Sequence, residues 1–202
     1  MQIGHFRGLW AAFQTASETI IQEQLVTRTR WRQLTVVIAV LGLAALVWGR
    51  VPGDGPSTAL PPAPAVGHPA PQFSLPTLAG DAIALADLRG QPVVLNFWAS
   101  WCGPCRAEMP ELQRLHDRLG PAGVVVLGVN QGEQPETAAG FMQQLGLSFP
   151  VALDQRTGVS QQYLVNSLPT TFFIDRDGVI RTTFIGPMSD AVLAQNLRTI
   201  YP

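Results

Sequence analysis

Residues 92–106 read "PVVLNFWASWCGPCR". The apolar run Val93 to Trp98 is continuous rather than alternating, the pattern of a short strand buried on both faces. Beyond Cys102-Gly103-Pro104-Cys105 the periodicity changes: Met109, Leu112, Leu115 and Leu119 recur at helical spacing. Pro110 falls inside that helix and is expected to kink it. The two cysteines, the only ones in the 202-residue chain, therefore sit where a buried strand gives way to a helix.

Residue chemistry narrows what such a pair can do. A closed zinc site needs about four ligands, and the only other candidates of the right kind are His5, His68 and His116. His5 and His68 are expected in an N-terminal segment and a linker, so one chain does not supply a zinc site. Covalent haem attachment requires histidine directly after the second cysteine; that position is Arg106. An inert staple would close a very short loop, and loop-closure stabilisation grows with loop length. Thiol-disulfide chemistry remains. At a helix N-terminus, unpaired backbone N–H groups and the helix dipole favour a thiolate at Cys102, and Arg106 is expected to add positive charge. Cys105, one turn further in, is expected to be more buried. Cys102 is then the attacking thiol, and Cys105 resolves the mixed disulfide. Gly103 and Pro104 permit the tight turn without placing a charge between the sulfurs.

Outward from this centre, "QFSL" and "AIAL" flank Ala79-Gly80-Asp81 as a hairpin. "GVVVLGVN" reads as a second buried strand, residues 135–145 as a helix and "FPVALD" as an extended segment. Residues 157–163 form a short helix. "TTFFID" and "VIRTTFI" are strands joined at Arg176-Asp177-Gly178, and Ser189 caps a last helix. Strand-helix-strand followed by hairpin and helix gives an α/β fold, a mixed central sheet with helices on both faces.

The N-terminal third differs. Leu34 to Trp48 carries no charge and no proline; with its flanks it would span roughly 30 Å as a helix, about one hydrocarbon core. Trp31 and Trp48 lie at its ends, and Arg28, Arg30 and Arg32 precede it. A core helix would show a polar stripe, and a cleaved signal peptide would show a small-residue site directly after the run. A single-pass transmembrane helix over 34–49 is the favoured reading, with residues 1–33 cytoplasmic by the positive-inside rule and the remainder outside. Residues 1–33 read equally as an amphipathic surface helix, a weakly ordered tail or an upstream start. Residues 50–71 hold seven prolines from Pro52 to Pro71 and are expected to act as a semi-rigid linker. The net charge of -1 and the absence of a basic excess leave nucleic acid without a docking surface.

The pieces "GHPAPQFSLPTLAGDAIALADLRGQPVVLNFWASWCGPCRAEMPEL" and "LPTTFFIDRDGVI", with the helical segment between "GVVVLGVN" and "FPVALD", resemble the membrane-anchored TlpA/ResA/CcmG-type thiol-disulfide oxidoreductases of the thioredoxin superfamily. The resemblance covers nearly all of residues 66–200. It implies a thioredoxin fold with a central insertion over residues 66–202. Pro169 matches the family's cis-proline beside the disulfide, and Leu168 would turn its backbone toward a substrate strand. Trp101, Gly103 and Pro104 complete the expected substrate contacts, Trp101 shielding Cys102. Glu108 matches a buried glutamate of the ResA-like branch and would exchange a proton with Cys105. Asn96 departs from thioredoxin itself, which has a buried aspartate there; asparagine cannot take up a proton, so the acid-base role falls to Glu108. Trp98 is expected to pack in the core.

The resemblance further implies a bacterial inner-membrane protein with its redox domain in the periplasm or its equivalent, reducing disulfides of exported proteins such as apocytochrome c. Electrons would come from a membrane donor of the CcdA/DsbD type, with no cofactor beyond the redox-active Cys102–Cys105 disulfide. The Gly-Pro dipeptide favours the reducing direction. Two other functions compete: a peroxiredoxin-like peroxidase, whose proline and threonine or serine are replaced by Leu95 and Ala99, and a non-catalytic tethered module that captures extended chains, against which the intact cysteine pair argues.

Overall fold

The computed structural model describes residues 34, 36–41 and 60–201, which fall in two units, Met1–Ser57 and Thr58–Pro202. Each is taken by itself. In the first, residues 34 and 36–41 are helical and exposed, although they are leucines, valines, an isoleucine and an alanine. The rest of the expected 34–49 span, residues 1–33 and residues 50–59 of the linker lie outside the described residues. Among the described residues, no helix is long and apolar enough to cross a membrane.

The second unit opens with the end of the proline-rich stretch. Here the chain is not a free spacer. The Ala63 amide donates to the Pro69 carbonyl, Gly67 donates to Ile180, Ile180 donates back to His68, and Ala70 donates to Gly178. The non-proline residues supply the amides that prolines lack. Strands β1 (Ser74–Pro76) and β2 (Ala82–Ala84) follow as the expected antiparallel hairpin.

Strand β3 (Val93–Trp98) is buried along its whole length, as the apolar run requires. Helix α1 (Gly103–Leu119) follows, then β4 (Val125–Gln131), α2 (Pro135–Gln144), β5 (Val151–Asp154) and the single-turn α3 (Gly158–Gln162). Strands β6 (Thr170–Ile174) and β7 (Ile180–Ile185) and helix α4 (Asp190–Leu197) close the unit. The sheet runs β5-β4-β3-β6-β7. β3, β4 and β5 are parallel, linked by α1 and α2, whereas β6 and β7 are antiparallel additions. The mixed sheet and the inserted α2–β5 unit agree with the expected thioredoxin fold. The hairpin lies along the edge strand β5 through a Thr77–Ala152 bridge. Gly178 accepts the left-handed φ of 71° that the β6–β7 turn demands.

Side-chain alternation along β3 divides the interior. Val94 and Trp98 point into one cluster with Cys105, Met109, Leu112 and Leu115 of α1, Phe141 and Met142 of α2, and Leu193 and Leu197 of α4. Val93, Leu95 and Phe97 point into the other, with Phe73, Tyr163 and Phe172. Asn96 shares the parity of Val94 and Trp98, so its amide faces α1. α1 runs unbroken as a helix through Pro110. Pro110 lies on the exposed side of the helix, so its ring displaces no core contact, and the cost is the one amide hydrogen bond it cannot donate.

Candidate active site

The site is built at the C-terminal end of β3, the central strand. The chain leaves Trp98, turns with the Cys102 amide donating to the Ala99 carbonyl at 3.2 Å, and enters α1. Cys102 is the N-cap of α1: its backbone is extended, and its Sγ accepts a hydrogen bond from the Cys105 amide at 3.1 Å. Cys102 and Cys105 are joined as a disulfide, with Cα atoms 5.3 Å apart. Pro104 in the first turn costs no hydrogen bond there, because those amides have no partner within the helix. Cys102 retains 5% exposure and Cys105 none, which matches an outer attacking sulfur and an inner resolving one. After reduction, the Cys105 amide and the dipole of α1 would bear on the Cys102 sulfur and favour its thiolate.

Trp101, expected to shield this sulfur, is itself 72% exposed. Gly103 and Pro104 are exposed beside it. The Leu168–Pro169 peptide bond is cis, as the resemblance implies. Thr170 pairs with Phe97, so Pro169 lies alongside the end of β3 from which the chain runs to Cys102. Leu168 is half-buried and Pro169 buried. Trp98 packs wholly inside, its ring 5.0 Å from that of Phe141. Arg106 has defined partners on α2. Its guanidinium lies 5.1 Å over the Phe141 ring and donates to Gln144 at 2.9 Å, so the cation is held against α2.

Glu108 is 1% exposed, on the face of α1 that carries Cys105 and Leu112. Its Oε1 accepts from Asn96 Nδ2 at 2.7 Å and its Oε2 from the Met188 amide at 3.1 Å. Asn96 Nδ2 also donates to Thr171 Oγ1 at 2.8 Å, and Asn96 Oδ1 has no protein partner. Burial pushes the Glu108 carboxyl up from 4.5 to about 7; the hydrogen bonds from Met188 and Asn96 pull the other way and only partly offset it. A carboxyl poised near neutrality, on the same helix face as Cys105, can hold or release a proton. The family resemblance identified Glu108 but not Thr171 or the Met188 amide. Both reach the site from more than seventy residues away in sequence, and no local pattern marks them. Among the described residues there is no cluster of three or more metal-ligating side chains.

Comparison with known proteins agrees with this geometry. The AhpC/TSA family profile matches residues 66–183. The thiol-disulfide oxidoreductase ResA of Geobacillus thermodenitrificans is 41% identical over 138 residues, 68% of this chain and 79% of that protein. The crystal structure of StoA from Bacillus subtilis superposes with a TM-score of 0.56 at 32% identity, covering 67% of this chain and 98% of that one. A thioredoxin-family thiol:disulfide interchange protein from Chlorobium tepidum gives 0.60 at 27% identity, covering 70% and 97%.

Proposed function

The chain belongs to the AhpC/TSA family and, within it, to the ResA-like thiol-disulfide oxidoreductases, and we propose that it works outside the cytoplasmic membrane as a tethered reductase of disulfides in exported proteins. The observation that carries the reading is the Cys102–Cys105 pair itself. Its outer sulfur caps a helix, and its inner sulfur shares a helix face with a buried carboxyl that titrates near neutral pH.

The reaction balances as two exchanges. The Cys102 thiolate attacks one sulfur of the substrate disulfide, forming a mixed disulfide and releasing the other sulfur as thiolate. The Cys105 thiolate then attacks Cys102 Sγ, forming the intramolecular disulfide and releasing the second substrate sulfur. Cys105 must lose its proton for that second step, and Glu108, buried on the same helix face, would receive it. The substrate chain would lie over Trp101, Gly103, Pro104, Leu168 and Pro169. An exposed indole and an edge of backbone at a cis-proline suit an extended, unfolded segment.

The tether rests on the uncharged run Leu34–Trp48, preceded by Arg28, Arg30 and Arg32, and on the exposure of the apolar side chains at 34 and 36–41. Residues 1–33 would remain in the cytoplasm, 34–49 cross the bacterial inner membrane, and the proline-rich stretch hold the redox domain outside. Reduction of apocytochrome c, with electrons from a CcdA/DsbD-type membrane donor, is the first substrate and donor pair to test. In cells, Cys105→Ala blocks resolution and should accumulate mixed disulfides on Cys102. Capture of exported cysteine-containing proteins, apocytochrome c among them, supports the reading. Capture of cytoplasmic proteins alone, or no Cys102-dependent capture, sinks it.

A further inference from the structure

Glu133 is a buried carboxylate that the exchange chemistry leaves without a task. It follows β4, in the turn that leads into α2. Asn130 at the end of β4 pairs in register with Trp98 at the end of β3, so the chains leaving the two central strands lie side by side. From there Glu133 folds back across the turn that carries Cys102. Its Oε1 accepts from Ser100 Oγ at 2.5 Å, and its Oε2 accepts from the Ser100 amide at 2.8 Å and from Asn130 Nδ2 at 2.6 Å. Both carboxylate oxygens are thus spent on one anchor point and its neighbour.

We propose that Glu133 is a positioning residue for thiol-disulfide exchange: it fixes the Ala99–Cys102 turn and thereby the N-cap geometry that aims Cys102 Sγ. The turn itself is closed by a single backbone hydrogen bond, from the Cys102 amide to the Ala99 carbonyl. The Ser100 amide lies inside that turn, with Glu133 Oε2 as its acceptor. Removing the carboxylate strands a part-buried donor and frees the segment to pivot between Ala99 and α1. Cys102 would then lose its fixed approach to the Cys105 amide, and with it part of the thiolate stabilisation. Exchange requires the attacking sulfur in line with the substrate disulfide, so loss of orientation slows the reaction without removing a reacting group. The α2–β5 insertion gains a role from this: its first turn braces the reactive one.

The inference rests on the exchange reading above and deepens it. The test uses the full chain, reduced and held in mild detergent, with a synthetic disulfide-bonded peptide as substrate. Two quantities are read: the rate of peptide reduction, and the pH at which the Cys102 thiol ionises, followed by thiolate absorbance. Glu133→Ala is expected to slow peptide reduction by about tenfold, through kcat rather than KM, and to move the Cys102 ionisation upward. Glu133→Gln is expected to restore most of both. Its carbonyl can accept from the Ser100 amide and Asn130 while its amide donates to Ser100 Oγ, so the neutral side chain can satisfy the same three partners. An unchanged rate and ionisation in Glu133→Ala would overturn the proposal. So would a Glu133→Gln variant as impaired as alanine, which would assign the effect to charge rather than to hydrogen bonding. If Glu133→Ala does not fold, Ser100→Ala removes one of the three bonds and should slow exchange in the same direction; no slowing overturns the proposal. Ionisation is read without substrate. A wild-type chain unable to reduce the peptide would therefore sink the reductase reading, while the Glu133 claim would still be decided.

Discussion

Replacing Glu108 by glutamine should change how the stability of the oxidised protein depends on pH. Burial raises the folded-state value of this carboxyl from 4.5 to about 7. Folding therefore takes up a proton between those limits. Below about 4.5 the carboxyl is neutral in both states and exacts no penalty. As pH rises to about 7 the unfolded chain ionises while the folded one does not, so stability falls by about 1.4 kcal/mol per pH unit. Above 7 both states are ionised and the loss levels off at roughly 3 kcal/mol. Glu108→Gln removes this titration. Glutamine carries its own offset, because its amide nitrogen must face either Asn96 Nδ2 or the Met188 amide, both donors. That offset is independent of pH and cancels when the variant's stability relative to wild type is compared at pH 5 and pH 8. Urea unfolding of both oxidised proteins, followed by far-ultraviolet circular dichroism, should show the variant gaining about 2–3 kcal/mol on wild type between the two pH values. Parallel pH dependences would refute the assignment of a near-neutral carboxyl at Glu108. The same substitution should also remove an inflection near pH 7 from the rate of the resolving step.

Three further substitutions probe the surroundings. Asn96→Asp places a second carboxyl against Glu108 Oε1, where two ionised groups cannot coexist cheaply; it should cost about 3 kcal/mol at pH 8 and much less at pH 5, read by the same unfolding assay. Gly128→Ala would set a Cβ 2.7 Å from Trp98 Nε1 and 3.1 Å from the Phe149 ring. Overpacking of about 1–3 kcal/mol, with a shifted Trp98 emission, is expected. Tyr163→Phe deletes the hydrogen bond from its hydroxyl to the Pro71 carbonyl, 2.7 Å long and buried. Chemical denaturation should show a loss of about 1–2 kcal/mol, and no change in exchange rate is expected.

The central architecture was readable because its signals are local. The continuous run Val93–Trp98, the helical spacing after Cys105, the turn residues at 79–81 and 176–178 and the cap at Ser189 each declare themselves within a few residues, and each forms as expected. Arg106 shows where local reading stops: its charge is evident from the sequence, but its partners Phe141 and Gln144 on α2 are supplied by the fold. The site divides in the same way. Cys102 and Cys105 share one short stretch and declare themselves by spacing, whereas Glu108 is singled out by the family resemblance. Thr171, the Met188 amide and Glu133 enter through strand register and chain reversal, which only the folded arrangement supplies.

The central claim is that Cys102 attacks and Cys105 resolves. The most direct measurement mixes the reduced protein with a disulfide-bonded peptide, quenches with acid at successive times and maps every covalent link by mass spectrometry. The predicted sequence is a transient peptide adduct on Cys102 alone, followed by the Cys102–Cys105 disulfide and two free peptide thiols. A peptide adduct on Cys105, or a peptide disulfide left intact, would contradict it.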